Sequence, residues 1–187
     1  SVYYGHGLSG AGLKILSVGN EARIVGTVQY YEAGGTWQVS GLTYRMMKPK
    51  DPGNIQKLSE GHAPAYVLTE PETFLSQVTI QGEETSQTFD YAALAMGTSI
   101  EMHGLTVKEV YTTEDADSSS FGALTLICEK AGHTIDVRTV PLYGSDGKLI
   151  TADFFVGKTI DIKGIVDLYN GQYQVKVFTL NSITLYD

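Results

Sequence analysis

"VGKTIDIKGIVDLYNGQYQVKVFTL", residues Val156 to Leu180, lies over "VGNEARIVGTVQYYEAGGTWQVSGLTY", residues Val18 to Tyr44, and this internal match decides the reading of the chain. Gly19 matches Gly157, Gly26 matches Gly164 and Tyr31 matches Tyr169. After a two-residue difference in the turn, Trp37-Gln38-Val39 matches Tyr173-Gln174-Val175. Each copy reads as a β-hairpin: an alternating strand, a turn of Glu32-Ala33-Gly34-Gly35 or Asn170-Gly171, and a second alternating strand. Asn-Gly favours a type I′ turn because both residues tolerate positive φ. In the later copy Ile160, Ile162, Val166 and Leu168 fall on one face and Asp161, Lys163 and Asp167 on the other, the pattern of a half-buried strand.

A shorter third echo, "LAMGTSIEMHGLTV" (Leu94 to Val107), keeps the seven-residue spacing between Gly97 and Gly104. Leu16, Leu94 and Phe154 stand three residues ahead of the first glycine of each pair, in a short apolar helical turn. Asp90 and Thr151 are placed to cap such turns, with Gly97 and Gly157 as their stops. The second glycine of each pair falls mid-strand, where missing bulk permits a sharp bend or bulge. From Tyr111 to Tyr143 the pattern is a long hairpin with a polar turn "EDADSSS" and a tight turn at Ala131-Gly132. The order over Gly97 to Tyr186 is therefore β-β-β-α-β-β.

That order, with glycine kinks in its first and fourth strands, resembles the OB fold, a five-stranded Greek-key barrel. The expected fold class is mainly β: an OB-like barrel over residues 90–187, a partial OB-like unit of helical turn plus β-hairpin over 1–45, and a linker or bridging segment over 46–89. Within that segment, Pro49, Pro52, Pro64 and Pro71 predict a mostly irregular path over Met46 to Thr73, with a helical turn at Asn54 to Leu58. On the alignment Ser1 corresponds to Thr139, so the first unit starts at the end of its third strand. Half a barrel leaves unpaired edges and an open core. Residues Ala63 to Gln81 folding back, preceding residues, or strands from another chain would each close it. The start at Ser1 without an initiator Met suggests a processed mature chain or a piece of something larger.

Composition supports strands separated by tight turns, with 21 Gly and 12 Tyr among 187 residues. The net charge of −8 repels phosphate backbones, so duplex nucleic acid is an unlikely partner. The densest basic group, Arg45, Lys48 and Lys50, reads as a solvated loop. No apolar run reaches the length of a membrane-spanning helix. The single cysteine, Cys128, alternates with Leu124 and Leu126 and reads as a small apolar residue in a strand core.

Little in the sequence carries catalytic chemistry, and the chain is read as a non-enzyme without cofactor. The histidines His6, His62, His103 and His133 are scattered, and His103 stands where the other copies have Val25 and Lys163. Glu114, Asp115 and Asp117 offer hard oxygen ligands to calcium but lack the EF-hand spacing, and a solvated turn is the plainer reading. "GHGLSGAG" (Gly5 to Gly12) matches neither a P-loop nor a nucleophile elbow.

Aromatic residues are the remaining lead. Alternation turns Tyr31 and Tyr169 away from the core, and puts Tyr30, Trp37 and Tyr173 on or near the apolar face. OB barrels engage ligands on the face of strands two and three and the surrounding loops. That resemblance nominates Phe121, Lys130, His133, Arg138 and Tyr143, joined by Tyr31 and Tyr169 beside the hairpin turns. The chain is similar to the tandem OB-like repeats that accompany secreted bacterial nucleases and surface proteins. The resemblance implies an extracellular or cell-surface binding or spacer module for an oligosaccharide, a single-stranded nucleic acid or a protein. The alternative expectation is a structural subunit of a homopolymeric fibre, self-associating through the open strand edges of residues 1–45.

Overall fold

In this computed structural model, residues 15–32, 36–40 and 55–186 are described. The expectations placed on Gly5 to Gly12, His6, Ser1, the Ala33-Gly34-Gly35 turn and the Arg45 to Lys50 loop lie outside them. The chain divides into two units, Ser1–Ala65 and Tyr66–Asp187.

The first unit contains β1 (Glu21–Ile24), β2 (Thr27–Tyr31), β3 (Thr36–Ser40) and β4 (Ile55–Ser59). β2 and β3 form the expected hairpin, with Val28 opposite Val39 and Tyr30 opposite Trp37. β1 pairs antiparallel with β4, Ile24 lying opposite Ile55. Ile55 to Ser59 is thus a strand and not the helical turn expected at Asn54 to Leu58. A five-residue apolar-polar run carries no periodicity of its own, and the pairing with β1 decides its conformation.

The second unit begins with β5 (Val67–Leu68), α1 (Pro71–Phe74), β6 (Gln77–Gln81), β7 (Ser86–Asp90) and α2 (Tyr91–Leu94). Its barrel follows: β8 (Ser99–Tyr111), β9 (Thr125–Lys130), β10 (His133–Thr139), β11 (Thr159–Tyr169) and β12 (Gln172–Val177), then β13 (Ile183–Tyr186). The five strands close in the order β8-β9-β10-β12-β11-β8, with β10 and β12 parallel and the other neighbours antiparallel. A short 3-10 turn, Ala152–Phe154, stands between the third and fourth barrel strands. This is the OB-like Greek-key barrel that the strand order predicts. β13 extends the sheet beside β11, and β5 runs parallel to β8.

Alternation sends Met102, Leu105, Leu126, Cys128, Ile135, Val137, Ile160, Val166 and Val175 into one core, capped by Phe155 and Phe74. Where a mostly irregular path is expected up to Thr73, residues 66–73 carry β5 and the start of α1. Phe74 is 1% exposed, β5 lies on β8, and α1 packs against β10. Of Ala63 to Gln81, the residues from Tyr66 onward belong to the second unit. Asp90 and Thr151 do stand at N-cap positions, but neither side chain makes a capping hydrogen bond; Asp90 Oδ1 accepts from Gln77 Nε2 instead.

The glycine echo has a structural basis. The Gly97 N–H donates to the Val166 carbonyl and the Gly157 N–H to that of Val107, both at 2.9 Å, so the two apolar turns hold reciprocal places on β11 and β8. Between those ties β8 carries a bulge: His103 and Gly104 together face Asp161 of β11. Gly104 has φ +67°, and its N–H donates to Asp161 Oδ1 at 2.8 Å. Partial burial would raise the pKa of Asp161, but the Tyr186 hydroxyl and the Gly104 N–H, helped by the charges of His103 and Lys130, hold it below the usual range.

Cys128 is fully buried and unpaired, and desolvation, with a smaller contribution from the charge of Asp136, pushes its thiol up to about 12. The expected result is no reaction of native protein with a thiol-specific reagent at pH 8, followed by one equivalent of reaction in denaturant.

Candidate functional site

The barrel strands send every second side chain outward. On three neighbours this outward row consists of Thr125 and Ile127 (β9), Asp136 and Arg138 (β10), and Gln174 and Lys176 (β12), and these residues floor a groove of 760 Å³. Register puts Arg138 between Thr125 and Lys176 and sets Asp136 opposite Ile127. One wall comes from the β8–β9 connection, through Tyr111, Thr113 and Ser118 to Ser120. The other comes from the β11–β12 turn, through Tyr169, Asn170 and Gln172. That turn is the Asn-Gly hairpin expected from sequence, with Asn170 and Gly171 at φ +49° and +77°.

The charges on the floor are matched unevenly. Asp167 receives Gln174 Nε2 at 3.1 Å and lies 3.8 Å from Lys176 Nζ. Arg138 Nη1 donates to Thr125 Oγ1 at 2.8 Å, which orients the guanidinium along the floor. The carboxylate of Asp136 has no hydrogen bond or ion pair among the described residues, and partial burial raises its pKa. The groove thus presents an acceptor, a planar donor fork and several amides and hydroxyls between two exposed tyrosine rings, Tyr111 and Tyr169. Its size falls within the range of small-ligand sites.

No family model and no curated protein matches this chain. The reading of the site accordingly rests on its geometry.

Of the residues nominated from sequence, the groove unites Arg138 and Tyr169. Phe121 lies on the same β8–β9 connection, and Tyr143 bridges to Leu149 between β10 and β11; both are well exposed, but neither lines the groove. Lys130 and His133 pair with each other at the far end of the β9–β10 hairpin, five residue rows from Arg138, on the order of 16 Å along the strand. Lys130 is occupied there by an ion pair with Glu70. Tyr31 belongs to the first unit, where it is half-exposed on β2. Glu114, Asp115 and Asp117 do not gather as a metal-binding group among the described residues, and Asp115 Oδ1 accepts the Asp117 N–H, closing its own turn. His103 is at the surface, 3.7 Å from Glu101.

Asp136, Gln174, Asn170 and Ser118 to Ser120 line the groove but are not among the site residues that the sequence nominates. Alternation beside Ile135 and Val137 marks Asp136 as outward-facing. What makes it part of a site is the parallel placement of β12 next to β10, two strands distant in sequence.

Proposed function

We propose that the second unit is a non-catalytic binding module of an extracellular bacterial protein, and that its groove takes a neutral oligosaccharide. The observation carrying this reading is the carboxylate of Asp136, without a partner among the described residues, beside Arg138 and between Tyr111 and Tyr169. Sugars offer hydroxyl donors to a carboxylate, acceptors to a guanidinium and C–H faces to tyrosine rings. A phosphate backbone would meet Asp136 and Asp167 on a chain of net charge −8. The placement outside the cell comes from the resemblance to secreted OB-like repeats. The non-catalytic reading is supported by the engagement of Asp167 with Lys176 and Gln174, which leaves Asp136 without a free second carboxylate on the groove floor.

Titration calorimetry with neutral tetra- to hexasaccharides, and with a single-stranded dT oligonucleotide at low salt, tests the proposal. Saturable binding of a neutral glycan is expected. Arg138→Ala or Tyr169→Ala should weaken it by about 10- to 100-fold, the equivalent of losing a charge-assisted hydrogen bond or a stacking platform. Lys130→Ala should leave it unchanged. Affinity should also fall as the pH drops through the raised pKa of Asp136, because protonation removes the negative charge and turns one of its two acceptor oxygens into a donor. A response confined to dT, or to no probe, sinks the assignment.

A further inference from the structure

The outward row of β12 ends on an aromatic residue just past the groove. β12 turns Gln172, Gln174 and Lys176 to the groove, while Val175 and Val177 enter the core. The next outward position is Phe178. The Val140 N–H donates to the Val177 carbonyl at 3.2 Å, which carries the parallel register of β10 and β12 one step past Val177 and sets Phe178 beside Val140. Val140 lines the groove, and so does Lys176, whose Nζ stands 5.8 Å from the centre of the Phe178 ring. Phe178 is thus the rung after Arg138–Lys176, at the groove's rim.

This ring differs in chemistry from the row that it continues. Gln172, Gln174 and Lys176 are polar, whereas Phe178 is apolar, half-exposed and outside the hydrophobic core. The Lys176 ammonium lies between the Asp167 carboxylate and the ring, a cation–π placement that favours one ring orientation. Tyr169 lies opposite Gln172 at the head of β12, six residues before Phe178 and on the order of 20 Å away along an extended strand. Asp136 and Arg138 occupy the rows between these two rings. A disaccharide is too short to touch both rings. A longer chain reaches them together.

We infer that Phe178 is a second stacking platform of the groove, so that the site selects extended glycan chains over disaccharides. One sugar of the chain lies on Tyr169, a later one lies on Phe178, and the hydroxyls between them meet Asp136 and Arg138. This platform rests on the glycan reading of the groove and adds a length requirement to it.

Calorimetry on the whole chain with cellobiose and cellohexaose, maltose and maltohexaose, and the corresponding chitin oligomers is the test. For the hexasaccharide that the wild-type chain accepts, Phe178→Ala should weaken binding by about 10-fold, the size of one lost stacking contact, and Phe178→Tyr should restore it. The matching disaccharide should bind the wild-type and Phe178→Ala chains alike. Because the ring is outside the core, Phe178→Ala should leave the unfolding transition in place. Fluorescence gives a readout independent of affinity. Phe178→Trp adds an indole at the platform to a chain whose single tryptophan, Trp37, belongs to the first unit. The emission that distinguishes this variant from the wild type should shift with the hexasaccharide and stay unmoved with the disaccharide. Two failures are distinct. If a hexasaccharide binds and Arg138→Ala weakens it but Phe178→Ala does not, or if Phe178→Ala weakens the disaccharide equally, the platform is overturned while the groove reading stands. If the wild-type chain binds none of these sugars, the groove reading falls and the platform falls with it.

Discussion

Gly164→Ala is expected to lower the stability of the second unit by about 3 kcal/mol, and Gly164→Val to prevent its cooperative folding. A Cβ at this position would lie 2.6 Å from Val175 Cγ1 and 2.7 Å from the Lys176 carbonyl oxygen. The valine methyl could turn away at the expense of its rotamer. The carbonyl cannot move without separating β12 from β11, and Ile165 pairs with Lys176 across that seam. The reason lies in the barrel itself. β11 pairs with β8 and β13 over its first half and with β12 over its second, so it must bend where the partnerships change, and the closest backbone approach falls at that bend. Gly104 supplies the contrast. It has open space around its missing Cβ but φ +67°, so Gly104→Ala carries only a backbone penalty of about 1 kcal/mol. Urea denaturation of the two alanine variants separates the causes: equal midpoints would show that the steric seam at Gly164 does not matter.

Both glycines were visible in the sequence as members of spaced pairs, and the structure divides their roles in a way the spacing could not. Periodicity was a good guide wherever a strand has one face in the core, as with Ile160, Ile162 and Val166, and the Asn170-Gly171 turn follows from local backbone preference alone. Elsewhere tertiary pairing decides the conformation. Ile55 to Ser59 becomes a strand only through β1, and Val67–Leu68 is too short to announce itself yet pairs with β8. The groove was half legible for the same reason. Arg138 and Tyr169 could be named from the OB resemblance, whereas Lys130 and His133, on the same strands, fall beyond its end because the strand-two and strand-three face is longer than the site. Asp136 gains its importance from β12, which no local pattern places beside β10.

Phe74→Ala is expected to destabilise the second unit by about 3 to 5 kcal/mol, although Phe74 sits in a stretch whose prolines and glutamates resemble a linker. α1 is four residues long, far too short to be stable alone, and the Glu70 side chain makes no capping hydrogen bond. Pro71 at its start contributes a suitable φ, and the Leu75 N–H closes the turn on the Pro71 carbonyl at 3.0 Å. These local terms are small. The ring of Phe74, buried in the barrel core, is what holds the turn, and through it the neighbouring contacts: the Thr69 N–H donating to the Glu101 carbonyl at 2.9 Å, and the Glu70–Lys130 ion pair. Removing the ring should therefore have two consequences, a lower denaturation midpoint and faster hydrogen exchange at Thr69. Leu75→Ala, one residue on but half-exposed, should change stability by less than about 0.5 kcal/mol. If Phe74→Ala proves as mild as Leu75→Ala, residues 66–75 are an appendage to the barrel. If it is as severe as expected, they are part of its core.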